Sequence, residues 1–396
     1  MKLPIILDGA TGTELIRRGM PSGACPEGWI LENRDVLSAL QREYEEAGSD
    51  MVLAPTFGAS CAKLEAGGVI GDVADINREL VAISRMSVSE NVAVAGDVSP
   101  TGLFIAPFGE ETMQGLISIY EEQMAAFSLC DAVMIETNMT VSDARAAMLA
   151  AKRTCKKPML VTFTCDSEGR TMTGATAKAA LVIAKSLGAF AFGLNCGSGP
   201  AEMLSVLKTL SPYAVGLPLI AKPNAGLPDT SCGDVHYHMT PEELSAFVAP
   251  FYEAGVRIFG GCCGTTPAHI RAISEALLPI SAHENNVAPI EYLANEREVV
   301  DITSAEFSEE ISCSEFLADD LFDCVGVCPK IRIASDSDVV LLEENQHAAA
   351  LPVCIACDDI ALLEKALISY NGRAAVSSSA DGAKELCSYY GAYILD

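Results

Sequence analysis

"GVRIFGGCCGTTPAHI" (residues 255–270) is an apolar run that ends in glycines and two adjacent cysteines, Cys262 and Cys263. Neighbouring side chains rarely converge without help, and a disulfide between them is strained. A pair of thiols at the end of a buried strand therefore asks for another purpose. The form of this segment recurs along the chain. Short apolar runs end in polar residues or glycine at "LPIILDG" (3–9), "MVLAPTF" (51–57), "VAVAGDV" (92–98) and "AVMIETN" (132–138). Four more follow at "PMLVTFT" (158–164), "FAFGLNC" (190–196), "LPLIAKPN" (217–224) and "VRIFGGCC" (256–263). Between them lie longer segments with helical spacing, such as "NRDVLSALQREYEEAG", "TVSDARAAMLAAKRT" and "TPEELSAFVAPFYEAG". The last starts as a capping box, with Thr240, then Pro241, then Glu243 three residues on.

Eight strands alternating with helices predict a (β/α)8 TIM barrel in preference to an open doubly wound sheet. Asp8, Thr56, Asp97, Glu136, Asn195, Asn224 and Cys262 all fall at the C-terminal ends of the runs. In a barrel that end is the catalytic face, where eight strand ends converge on one pocket.

Composition narrows the function. The chain has 396 residues, half of them hydrophobic, and a net charge of −27. Nucleic acid is excluded as a partner, because its phosphates need Lys and Arg. No apolar run has the length of a membrane span, and "MKLPIILDGATG" enters a strand without a signal-peptide pattern, so the expectation is a soluble, cytoplasmic protein. The acidity is uneven: residues 284–396 carry 22 Asp and Glu against 6 Lys and Arg. That shift places a boundary near "PISAHENNVAPIE" (279–291), giving a barrel over 1–282 and a small acidic α/β extension over 283–396.

Most of the fifteen cysteines sit in core-like segments and read as buried thiols in a reducing compartment. Cys196, Cys262 and Cys263 differ. They lie at the ends of the sixth and eighth strands, which barrel closure brings within reach of one another. Three thiolates suit a zinc ion, which takes four ligands tetrahedrally at about 2.3 Å, and the fourth position is left for substrate. Gly260, Gly261 and Gly264 would permit the backbone angles that turn both thiolates inward. The spacing of His236 and His238 also invites a metal reading, but the segment reads as a surface loop. Cys324 with Cys328, and Cys354 with Cys357, read as core or incidental cysteines.

"LDGATGTEL", "LNCGSGP", "KPNAGLP" and "GGCCGTTPAHI" resemble the zinc-dependent homocysteine S-methyltransferase family, and within it the homocysteine-binding barrel of cobalamin-dependent methionine synthases. "GDVSPTG" with "APFG", and "FTCDSEGRTMTG", extend the likeness over about residues 1–280. The resemblance implies that Cys196, Cys262 and Cys263 act through zinc, deprotonating the homocysteine thiol for attack on an activated methyl group. It implies that Asp8 and Gly9, with the amides of Ala10 and Thr11, hold the amino acid's polar end. Glu136 would pair with its ammonium group, and Asn195 would shape the pocket by hydrogen bonding. Thr56 and Asp97 stand as further candidates. Residues 351–396 resemble an internal part of a folate-binding barrel, too short to be whole, so the tail is expected to be a remnant that packs on the barrel or docks a partner.

The chain contains no cobalamin-binding segment of the Asp-x-His-x-x-Gly type. The resemblance therefore implies a methylcorrinoid (methylcobalamin) presented by a separate carrier protein, as in a split methionine synthase. The alternatives are a free donor (S-methylmethionine, S-adenosylmethionine or betaine) or a non-catalytic zinc-binding subunit.

Overall fold

The computed structural model describes residues 2–106, 108–197, 199–229, 235–280, 288–315 and 326–395. All eight expected runs are strands: β1 (Ile5–Ile6), β2 (Met51–Leu53), β3 (Ala93–Val98), β4 (Ala132–Asn138), β5 (Met159–Phe163), β6 (Ala191–Asn195), β7 (Leu219–Lys222) and β8 (Val256–Phe259). They hydrogen-bond in the order β1-β8-β7-β6-β5-β4-β3-β2, every pair parallel. A parallel bridge from Leu7 to Met51 joins β1 to β2 and makes the sheet a barrel.

Each strand alternates, because successive side chains point to opposite faces. Ile5, Leu7, Met51, Leu53, Ala95, Ala132, Met134, Leu160, Ala191, Ile220 and Ile258 form a separate apolar cluster that plugs the barrel. Two residues further along the same inward rows, the chemistry changes. Met134 is followed by Glu136, Leu160 by Thr162, and Ile220 by Lys222; Asn195 ends the row of Ala191 and Gly193. The apolar plug thus forms the floor of a polar pocket.

The predicted helix over 240–255 starts with its capping box, Thr240 N–H donating to Glu243 at 2.8 Å and Glu243 N–H donating to Thr240 Oγ1. It is then split into Pro241–Ser245 and Val248–Glu253. Pro250 has no N–H to donate back one turn, which breaks the run there.

The C-terminal region holds a two-stranded antiparallel ribbon, β9 (Tyr292–Ala294) with β10 (Val299–Asp301), and a five-stranded parallel sheet. That sheet runs in sequential order through β11 (Phe307–Ser312), β12 (Cys328–Arg332), β13 (Cys354–Ala356), β14 (Ala375–Ser377) and β15 (Tyr393–Ile394). β11 falls in the acidic stretch that carries no strand signal in the sequence, since its glutamates interrupt the apolar pattern. One apolar core continues from the barrel helices into this sheet. Arg145, on the helix Val141–Thr154, reaches across and donates to the carbonyls of Leu367 and Ile368 at the end of the helix Ile360–Ser369.

Candidate active site at the C-terminal end of the barrel

The loops after β1 and β8 are laced together. Gly261 N–H donates to Asp8 O, Ala10 N–H to Thr265 Oγ1 and Gly264 N–H to Thr13 Oγ1. The glycines serve close packing more than unusual dihedrals. A Cβ on Gly261 would lie 2.2 Å from Thr265 Oγ1, and one on Gly260 would lie 2.9 Å from Leu7 Cβ. Only Gly264 of the three is left-handed, at φ +79°, and its bare face seats the Tyr237 side chain.

The unusual backbone lies instead at Cys196, φ +56°, followed by Gly197 at φ +60°. A non-glycine residue there is strained, and such strain concentrates at functional sites. It turns the Cys196 side chain toward the other strand end. The Sγ atoms of Cys196, Cys262 and Cys263 all lie within 4.8 Å of one another. Among the described residues no other group of His, Cys, Asp or Glu is placed to hold a metal ion.

The donor set tests well against a soft divalent cation. Tetrahedral coordination at about 2.3 Å sets sulfurs about 3.8 Å apart, inside the 4.8 Å limit that these three keep. Left to themselves the thiols share protons: Cys196 is held far below the ordinary thiol range because Cys262 and Cys263 donate to it, while Cys262 is pushed well above. Amide N–H groups also point at the sulfurs, Asn195 Nδ2 at Cys262 (3.8 Å) and Asn224 Nδ2 at Cys196 (3.7 Å). Such donors orient ligating thiolates and tune their basicity.

Asn195 does more than line a pocket. Its Oδ1 accepts from Thr137 N–H (3.0 Å) and Thr162 Oγ1 (2.9 Å), and its Nδ2 donates to Thr137 Oγ1 (2.7 Å). It ties β4, β5 and β6 to the thiol group. Thr137 itself is left-handed, φ +60°, at a register break between Ile135 and Asn138, and this kink aims the preceding residue, Glu136.

Glu136 is buried and forms an ion pair with Lys222 Nζ. Burial opposes the lysine's charge, but the carboxylates of Glu136, Asp97 and Asp8, together with Cys262, outweigh it and hold the ammonium above its ordinary range. Burial pushes Asp8 up to about 7 and Asp97 well above the carboxylate range. Asp8 Oδ2 accepts from Leu53 N–H at 2.9 Å. Its Oδ1 has no partner among the described residues, and neither do Asp97 Oδ1 and Asn224 Oδ1. Unpaired buried acceptors of this kind are rare unless a ligand is meant to meet them.

Other candidates are placed as follows. Gly9 is required, because a Cβ would meet Tyr44 Oη at 2.8 Å; that hydroxyl donates to Ala10 O. The Ala10 amide is taken by Thr265, which leaves Gly9 and the Thr11 turn at the start of the helix Gly12–Arg17 as the polar lip beside Asp8. Thr56 exchanges hydrogen bonds with the Asp97 backbone and supports the β2–β3 loops. His238 pairs with Asp229 on the exposed loop after β7. Cys354 and Cys357 are buried in the second sheet, and Cys324 lies outside the described residues. Lys222, Thr265 and Tyr237 went unnoticed in the sequence; the lysine closing an otherwise apolar strand was the one available signal.

Comparison with known proteins shows the family. Residues 5–277 match the sequence profile of the homocysteine S-methyltransferases, and the chain belongs to that family. It is 32% identical over 305 residues to the methionine synthase of Mycobacterium tuberculosis (strain ATCC 25618 / H37Rv), covering 71% of this chain and 25% of that protein. The methionine synthase of Mycobacterium leprae (strain TN) is 32% identical over 292 residues, covering 68% and 24%. The chain thus spans about a quarter of the length of these relatives. The metallated form of the homocysteine methyltransferase MmuM from Escherichia coli shares the fold, with a TM-score of 0.58, 22% identity, and coverage of 68% of this chain and 95% of that one. No helix among the described residues is long and apolar enough to cross a membrane.

Proposed function

We propose that the chain makes methionine from homocysteine with a zinc ion held by Cys196, Cys262 and Cys263. The meeting of these three sulfurs within 4.8 Å carries the reading. Zinc there would supply the positive charge that keeps a substrate thiol ionised at neutral pH. The chain's own residues do the rest. Asp8 and Glu136 take the substrate ammonium, with the unpartnered Asp8 Oδ1 as its open acceptor. Gly9 and the Thr11 turn hold the carboxylate end, and Asn195 and Asn224 steady the thiolates.

The methyl donor in this reading is a methylcorrinoid on a separate protein. The similarity to methionine synthases supports it. Phe57, Leu103, Leu227 and Val235 are exposed on the loops after β2, β3 and β7, apolar side chains that a macromolecular donor could cover. The strands of the C-terminal sheet are parallel and in sequential order with no switch point, the order found within a (β/α)8 barrel.

The test offers zinc-loaded protein homocysteine with methylcobalamin, S-methylmethionine, S-adenosylmethionine, betaine or methyltetrahydrofolate in turn. Methionine should form with methylcobalamin. Formation from a sulfonium donor or betaine alone overturns the split-synthase reading.

A further inference from the structure

We infer that Lys222 is a positioning residue for homocysteine, an internal cation that helps the pocket bind a second cation, the substrate ammonium. The inference rests on Asp8 and Glu136 being the ammonium acceptors.

The geometry sets a puzzle. Three carboxylates, Asp8, Asp97 and Glu136, end at one buried pocket, and a single ammonium already sits among them on Glu136. Lys222 is 3% exposed and Glu136 10% exposed. The lysine stem packs close to the eighth strand end, with Cγ 3.2 Å from where a Cβ on Gly260 would lie, and its ammonium is paired with Glu136.

A fixed cation beside an ammonium site would only repel substrate unless it also ordered an acceptor for it, and a buried ion pair orders its carboxylate. Lys222 occupies one oxygen of Glu136, Oε2, and so fixes the plane in which the other is presented. Two unpartnered oxygens, on Asp8 and Asp97, stand open beside it as further acceptors for the ammonium that an amino acid supplies.

The test compares homocysteine with 4-mercaptobutyrate, which has the thiol and carboxylate but no ammonium, by calorimetry on zinc-loaded protein. Binding through the thiol is common to both, so the ratio of their Kd values isolates ammonium recognition. The unaltered protein should favour homocysteine at least ten-fold. Lys222→Met should reduce that ratio at least five-fold while metal content is unchanged, and Lys222→Arg should restore most of it. A Lys222→Met protein that keeps the ratio, or binds homocysteine more tightly, overturns the inference. If Lys222→Met does not fold, Lys222→Arg and the Lys222→Met/Glu136→Gln pair carry the comparison: the pair must be no more selective than Glu136→Gln alone. A failure of the underlying ammonium reading is seen separately, as an unaltered protein that does not distinguish the two ligands.

Discussion

Asn195→Ala is the perturbation that most directly tests how the site is held. The side chain makes four contacts, with Thr137 N–H, Thr137 Oγ1, Thr162 Oγ1 and Cys262 Sγ. Removing it strands two buried donors, each costing about 1–3 kcal/mol when unmade. It also removes the clamp on Thr137, whose φ of +60° costs about 1–2 kcal/mol in a residue with a Cβ. Thr137 can relax once freed, which returns part of that cost. The expected net loss is about 2–4 kcal/mol, a fall in melting temperature of roughly 2–5 °C for a protein of this size. Thr137→Gly supplies the control, because glycine takes a left-handed φ without strain. In the Asn195→Ala background it should recover about 1 kcal/mol. Melting followed by circular dichroism, with zinc loading and homocysteine affinity measured on the same samples, reads all of this. Homocysteine affinity should fall with Asn195→Ala, because Glu136 is no longer aimed. A melting temperature unchanged within about 1 °C of the parent would refute the clamp, and failure of Thr137→Gly to help would refute the strain.

Cys263→Ala should lose zinc and activity together while the far-ultraviolet spectrum is kept; full zinc occupancy would remove Cys263 from the ligand set. Asp8 gives a pH signature. Its folded-state pKa, about 7, lies above its ordinary 3.8, so its contribution to stability is complete at low pH and is lost as pH rises toward 7. Between pH 5.5 and 8.5, above the pI of 4.5, metal-free protein should lose roughly 2 kcal/mol through this group, at 1.36 kcal/mol per pH unit. Asp8→Asn should flatten that slope and weaken homocysteine binding; an unchanged slope would mean Asp8 is charged throughout. Arg145→Met strands the helix-end carbonyls of Leu367 and Ile368, and about 2–5 kcal/mol of docking should be lost. The C-terminal sheet should then melt separately or become sensitive to protease; a single unshifted transition would show that the apolar contact alone suffices.

The sequence by itself determined the eight β/α units, because strand alternation and helical spacing are local patterns that survive without neighbours. It also determined the thiol trio, since three cysteines at strand ends must meet once a barrel closes. The part played by Gly260 and Gly261 was legible only as a need for glycine. That Thr265 and Leu7 crowd them is a fact of the β1–β8 contact.

What only the tertiary structure decided was partnership. Glu136 is 86 residues from Lys222, and Ala10 is 255 from Thr265. No spacing rule announces that one carboxylate will have an internal ammonium or that one amide will be taken. The left-handed turn at Cys196 and the sequential sheet beyond residue 300 belong to the same class. Burial and charge balance at a closed barrel end are sums over many distant residues, and a sum of that kind exists only once the chain has folded.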